Sequence, residues 1–124
     1  MKKINIKTSF KDKRGIIVDL LEKKSINAIT YITQKKNTIR GNHFHKKTIQ
    51  WNYILEGKIE LFTKKKNSKI KKIILKKGDL AVTDKNESHA LRAIKNTKFL
   101  VFTQGPRGGK EYENDTFRLK IPLV

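Results

Sequence analysis

The chain of 124 residues contains no cysteine. That excludes a disulfide framework and any thiolate metal site, and it fits a reducing compartment. No apolar run approaches the roughly 18 residues of a membrane-spanning helix, and no membrane partner is expected. The opening Met1-Lys2-Lys3-Ile4-Asn5 is basic, but no apolar stretch follows it. No signal peptide is therefore predicted, and the expected location is cytoplasmic. Acidic residues are scarce, 11 against 30 basic ones, for a net charge of +19. Arginine is scarce too, standing only at positions 14, 40, 92, 107 and 118. Base readout and planar phosphate recognition favour arginine over lysine. The lysines are spread along the chain in doublets and triplets, from 2–3 to 76–77. They read as a solvated surface, and nucleic acid is not expected as a partner. Such a surface still attracts small anionic substrates.

Helical periodicity is also missing. The best helical candidate, Val18 to Lys24, is short. Strand patterns dominate instead: Lys3 to Lys7 and Ala28 to Thr33 alternate polar and apolar residues. Lys69 to Leu75, Leu80 to Thr83 and Phe99 to Thr103 read as further strands. Glu56-Gly57 and Gly78-Asp79 read as turns. Short strands about ten residues apart, with Gly, Asn and Asp between them, predict a barrel or sandwich. No repeat or linker interrupts the pattern, so residues 1–124 are read as one domain.

The three histidines stand in a revealing pattern. In Arg40-Gly41-Asn42-His43-Phe44-His45, the two imidazoles are two residues apart and project to one face of a strand. Gln50 and Gly57 follow, so the segment reads H-x-H-x4-Q-x6-G. His89 comes eleven residues after Gly78. Three imidazoles completed by one oxygen donor suit a divalent metal: Zn, Fe, Ni or Mn. Imidazole alone selects poorly among these ions.

These segments resemble the two motifs of the cupin superfamily (RmlC-like). His43, His45 and Gly57 match the first motif; Gln50 stands where the family usually has Glu, and Asn37 where a glycine is expected. Gly78 and His89 match the second; Asp84, Asn86 and Ala93 replace its Pro, Gly and Asn. The resemblance implies an all-β double-stranded β-helix, the cupin jelly-roll barrel. It also implies His43, His45, Gln50 and His89 as metal ligands. More narrowly, Asp12-Lys13-Arg14-Gly15 and Arg40 to Lys46 are similar to cupins of nucleotide-sugar metabolism. These are the 3,4-ketoisomerases and the cupin half of capsular-polysaccharide epimerase/reductases. That similarity implies an epimerase or isomerase acting on a sugar or nucleotide-linked sugar in polysaccharide synthesis. In the ketoisomerases such a histidine resembles a general base without metal. His89 pulls toward the metal-binding version, and the neutral Gln50 pulls back.

A neutral imidazole can remove the acidic proton beside a keto group, and a metal can stabilise the resulting enolate. A histidine that binds metal is not free to be the base. Tyr31, Tyr53, Tyr112 and Glu87 are then the alternatives. The expected catalytic residues are His43, His45 and Tyr53. Tyr53 alternates with Gln50, as Trp51 does, and reaches the same space only if its strand is bulged. Arg40 and Arg92 are expected to bind substrate, with Arg14 a further candidate. The guanidinium of Arg40 can bind a diphosphate or carboxylate, or form a structural salt bridge beneath the barrel mouth. Gly105 to Gly109 reads as a loop that leads to a last strand, Phe117 to Ile121, pairing across a homodimer. Two other function classes remain open: a metal-dependent oxygenase or lyase on another small anionic molecule, and a non-enzymatic ligand-binding cupin.

Overall fold

A computed structural model describes residues 1–124. Its strands are β1 (Lys2–Ile4), β2 (Thr8–Asp12), β3 (Gly15–Val18), β4 (Ala28–Gln34), β5 (Ile39–Phe44), β6 (Ile49–Glu56), β7 (Lys58–Lys64), β8 (Lys71–Lys76), β9 (Leu80–Thr83), β10 (Ser88–Ala93), β11 (Thr97–Gln104) and β12 (Phe117–Arg118). One helix, α1 (Lys110–Asn114), precedes the last strand. Two five-stranded sheets run β1-β9-β6-β11-β4 and β12-β5-β10-β7-β8. Every pairing is antiparallel, and most neighbours are distant in sequence. This is the jelly-roll arrangement that the cupin resemblance implies, within the barrel-or-sandwich class that the strand spacing predicts. β2 and β3 form a hairpin that pairs with neither sheet.

Alternation decides what is buried. Along β11, Thr97, Phe99, Val101 and Thr103 turn inward, while Lys98 is exposed. Ile54, Ile59, Leu61, Leu75 and Leu91 meet Phe99 and Val101 in the core. Burying each such side chain contributes about 1.5–3 kcal/mol. Gly57 makes the β6–β7 turn with φ +98°, and a Cβ there would lie 2.4 Å from the Asn96 carbonyl oxygen. Asn37 and Asn86, at positions where the cupin motifs carry glycine, have φ +67° and +60°. Asparagine tolerates the left-handed region better than other side chains.

Val18 to Lys24, too short a candidate to predict a helix, is not helical: Val18 closes the β2–β3 hairpin, Asp19 is tied to Ser9, and Lys23 has φ +58°. One expectation is corrected here. The last strand is only Phe117–Arg118, and it pairs with β5 of its own chain. The Asn42 carbonyl then accepts the amide of Leu119 (2.9 Å), which draws the following residues along the barrel.

Candidate active site

The site begins with a defect in strand pairing. His89 on β10 lies opposite His43 on β5, but its neighbour Ala90 lies opposite Gly41. Asn42 is the extra residue, a β-bulge that bends the strand and re-aims its side chains. Gly41 and Asn42 take φ +92° and +55°. A Cβ on Gly41 would sit 2.8 Å from the His89 carbonyl oxygen, so this close approach requires glycine. The Asn42 side chain accepts from the Leu123 amide (2.8 Å) and donates to the Val124 carbonyl (3.2 Å). The bulge that orients His43 is thereby tied to residues some 80 positions later.

The three imidazoles converge. Ring centroids are 4.8 Å apart for His43 and His45, 4.7 Å for His43 and His89, and 5.3 Å for His45 and His89. Nδ1 of His45 donates to the Asp115 carbonyl at 2.9 Å, and Nδ1 of His89 donates to the Glu87 carbonyl at 3.3 Å. A carbonyl only accepts, so both rings carry their proton on Nδ1 and leave Nε2 with a lone pair. Nδ1 of His43 and Nε2 of His45 are buried without a partner. Burial, reinforced by His45 and Arg118, lowers the pKa of His43 to about 4. Burial likewise lowers His45, against the raising effect of Asp115, and takes His89 to about 3. All three are neutral near pH 7.

His43 and His89 border a cavity of about 480 Å³, with His45 behind them, within the range of small-molecule sites. Leu91, Phe99 and Val101 continue from the core into its wall. Gln50 and Asn52 enter from β6, on the strand face expected for Gln50. Arg40, Arg107 and Arg118 line the cavity, and no acidic residue does. Arg40 donates to the Thr33 carbonyl (3.2 Å) and pairs with no carboxylate, so the structural salt bridge is not formed. Arg107 lies over the ring of Tyr112 at 4.3 Å, and that ring is 5.2 Å from His45.

Other expected residues lie elsewhere. Tyr53 sits on the opposite face of β6 from Gln50 and Asn52, level with Leu80 and Leu100. The β6 irregularity falls beyond it, between Ile54 and Glu56, and does not turn it inward. Arg92 is held by Glu60 at 2.7 Å on the outer face of β10, over the ring of Phe62. Glu87 is buried, accepting from the Asp84 amide and pairing with the Met1 ammonium. Tyr31 is exposed on edge strand β4, and Arg14 pairs with Asp12 on the hairpin. Conversely, Asn52, Arg107, Arg118 and Asp115 belong to the site and were not singled out. The alternation of β6 gives Asn52. The others arrive by long-range pairing, which leaves no local pattern.

The cluster also meets the chemistry of a metal site. The candidate donor atoms of His43, His45 and His89 lie within 4.8 Å of one another. Bonds of about 2.1 Å at tetrahedral angles need separations near 3.4 Å, so modest closure suffices. The donors are neutral, and two are orphaned. The residues therefore fit a divalent cation.

Residues 10–106 match the family model described as the polysaccharide biosynthesis C-terminal domain. The chain belongs to this family. No curated protein matches it significantly in sequence. Among solved structures, this member of the family resembles a 3,4-ketoisomerase from Helicobacter canadensis, with 26% identity and TM-score 0.75. That match covers 94% of this chain and 87% of the other. A TDP-quinovose 3,4-ketoisomerase from Campylobacter jejuni is 22% identical, with TM-score 0.81 and coverage of 95% and 92%. A dTDP-4-dehydrorhamnose 3,5-epimerase from Sulfolobus tokodaii is 17% identical, with TM-score 0.70 and coverage of 86% and 70%. The latter two show the shared fold, which is that of the RmlC-like cupins. No helix of the chain is long and apolar enough to cross a membrane.

Proposed function

We propose that this family member is a nucleotide-sugar isomerase that moves a carbonyl between C4 and C3 of a hexose ring. The observation that carries this reading is the composition of the cavity: neutral imidazoles at one wall, three arginines, and no acid. A substrate with a diphosphate and an acidic C–H beside a ketone fits both halves. The likeness to the Helicobacter canadensis 3,4-ketoisomerase supports it. So does a structural neighbour from Thermoanaerobacterium thermosaccharolyticum in complex with TDP-4-keto-6-deoxyglucose.

His43 lines the cavity and is the base that takes the proton from C3. His45 stands behind it and turns the lone pair of Nε2 toward the cluster, where it can stabilise an imidazolium. Arg40, Arg107 and Arg118 bind the diphosphate, planar guanidinium to phosphate oxygens. Proton return at the same carbon from the other face would give 3-epimerisation, the related outcome.

Incubation with TDP-4-keto-6-deoxyglucose, followed by proton NMR, tests the proposal. A new 3-keto isomer is expected, and an unchanged spectrum with a folded protein refutes it.

A second reading is favoured by the two orphaned imidazole nitrogens. His43, His45 and His89, with the amide oxygen of Gln50, would hold Zn, Fe, Ni or Mn. Such an ion would supply Lewis-acid stabilisation of an enolate. A homodimer is also proposed. Phe10, Ile16 and Ile17 on the hairpin and Ile29 and Tyr31 on edge strand β4 are more than half exposed. Apolar surface of this kind suits a second copy of the chain.

A further inference from the structure

Moving a carbonyl from C4 to C3 needs two kinds of proton transfer. One proton leaves C3 and another arrives at C4. In addition, O4 must gain a proton and O3 must lose one. A single imidazole serves the carbons; the oxygens need a group that donates first and accepts afterwards. The arginines hold their protons too tightly for this role, and the amides of Gln50 and Asn52 do not titrate.

His89 lines the cavity too, but its Nδ1 proton is given to the Glu87 carbonyl and its Nε2 has none to donate first. That leaves Tyr112 and its phenol on the cavity wall. Its carbonyl is taken by Thr116 Oγ1 at 2.6 Å, while its phenol has no partner within the chain. Its ring lies 5.2 Å from that of His45, which in turn lies 4.8 Å from that of His43. One device positions Tyr112 and His45. Asp115, three residues after Tyr112, accepts the proton of His45 Nδ1 at its carbonyl. Its carboxylate accepts from the amides of Lys46 (3.0 Å) and Lys47 (3.1 Å) and from Thr48 Oγ1 (2.6 Å). The same short segment thus fixes His45 and sets the phenol beside it.

We infer that Tyr112 is the catalytic residue that exchanges protons with the two sugar oxygens. The inference rests on the ketoisomerase reading above. His43 takes the C3 proton as the C4 carbonyl oxygen takes the proton of the Tyr112 phenol, leaving an enediol, an imidazolium and a phenolate. The phenolate then takes the proton of the C3 hydroxyl, C3 becomes the carbonyl, and the imidazolium returns its proton to C4. No atom or electron is left over, and no oxidant is required.

The test compares wild type, Tyr112→Phe and His43→Asn on TDP-4-keto-6-deoxyglucose in D2O. Isomer formation and deuterium uptake at C3 are both followed, with the Kd for TDP as the check on fold and binding. Tyr112→Phe is expected to lower isomerisation about 10²-fold or more while leaving the Kd within twofold. The ratio of deuterium uptake to isomerisation should rise, because exchange at C3 calls on the phenol only to protonate O4, whereas isomerisation also needs the phenolate to take the O3 proton. His43→Asn should lower both together. General damage to the site would leave that ratio unchanged, and such a result overturns the inference. Isomerisation by Tyr112→Phe within threefold of wild type overturns it as well. A wild type that neither exchanges nor isomerises the sugar overturns the ketoisomerase reading itself, and the inference with it.

Discussion

Asp115 holds His45 with its main chain and the residues after His45 with its side chain. Burial would raise the pKa of its carboxyl, but hydrogen bonds from Thr48, Lys46 and Lys47 overcome this and hold it below the usual carboxylate value. Removing the carboxylate leaves buried donors unsatisfied, at about 1–3 kcal/mol for such a loss. Asp115→Ala is expected to lose about 2–4 kcal/mol of stability in urea unfolding. Asp115→Asn, which still accepts at Oδ1, should lose less. Equal losses in the two variants would show that accepting hydrogen bonds is not the role of this side chain.

Acid should weaken the fold well above the carboxylate range. The unfolded chain titrates its histidines near pH 6.5. The folded chain holds His43 near 4 and His89 near 3, mainly through burial. Between those values the unfolded state binds more protons, so stability is present above 6.5 and is lost as pH falls. Each such histidine adds a slope of up to about 1.4 kcal/mol per pH unit. Thermal melts from pH 7.5 to 4.5 should show the decline. His43→Asn should flatten it, and an identical decline in that variant would assign the effect to other groups.

The arginines should divide by location. Arg40→Ala, Arg107→Ala and Arg118→Ala are each expected to weaken TDP binding about 10- to 100-fold, because charge-assisted phosphate contacts contribute about 1.5–3 kcal/mol. Arg92→Ala should leave binding unchanged and cost about 1 kcal/mol of stability through the lost Glu60 pair. Isothermal titration with TDP separates the groups. Weakened binding in Arg92→Ala would mean that the outer face of β10 takes part in recognition.

Gly41→Ala tests the bulge. The added methyl would meet the His89 carbonyl oxygen at 2.8 Å in a backbone with φ +92°. Such a substitution costs about 1–3 kcal/mol in backbone strain alone. Isomerisation should fall with it, since β5 and β10 must separate. A variant as stable and active as wild type would show that the strands have slack.

Elemental analysis of the purified protein addresses the cation. If His43, His45 and His89 hold one, about one ion per chain is expected, and His89→Ala should lose it. A metal-free protein with full isomerase activity would leave the imidazoles as proton-transfer groups only.

Much of this arrangement was legible because it is local or periodic. The His43-x-His45 pair, the Gly57 turn, the strand Leu80–Thr83 and the inward side of Gln50 follow from spacings of a few residues. Asn37 and Asn86 depart from the cupin motifs in letter, yet they keep the left-handed backbone that the motifs require. The misreadings concern side chains whose direction depends on strands far away in sequence. Arg92 was drawn outward by Glu60, 32 positions earlier, and Glu87 was claimed by the chain's own first residue. Asp115 and Arg118 reach the site only because β12 pairs with β5 across some 75 positions. No local pattern of charge or hydropathy encodes such a pairing.

The tie between Asn42 and Leu119, Leu123 and Val124 has a consequence for the order of events during synthesis. Strand β5 is synthesised some 75–80 residues before the segment that latches it. Its bulge has no latch, and His45 has no carbonyl to orient it, until residues 115–124 have emerged. The barrel core can form earlier, since its strands are complete by residue 104. A nascent chain would therefore fold its core before the imidazole cluster is complete, and that cluster is held only once residues 115–124 settle.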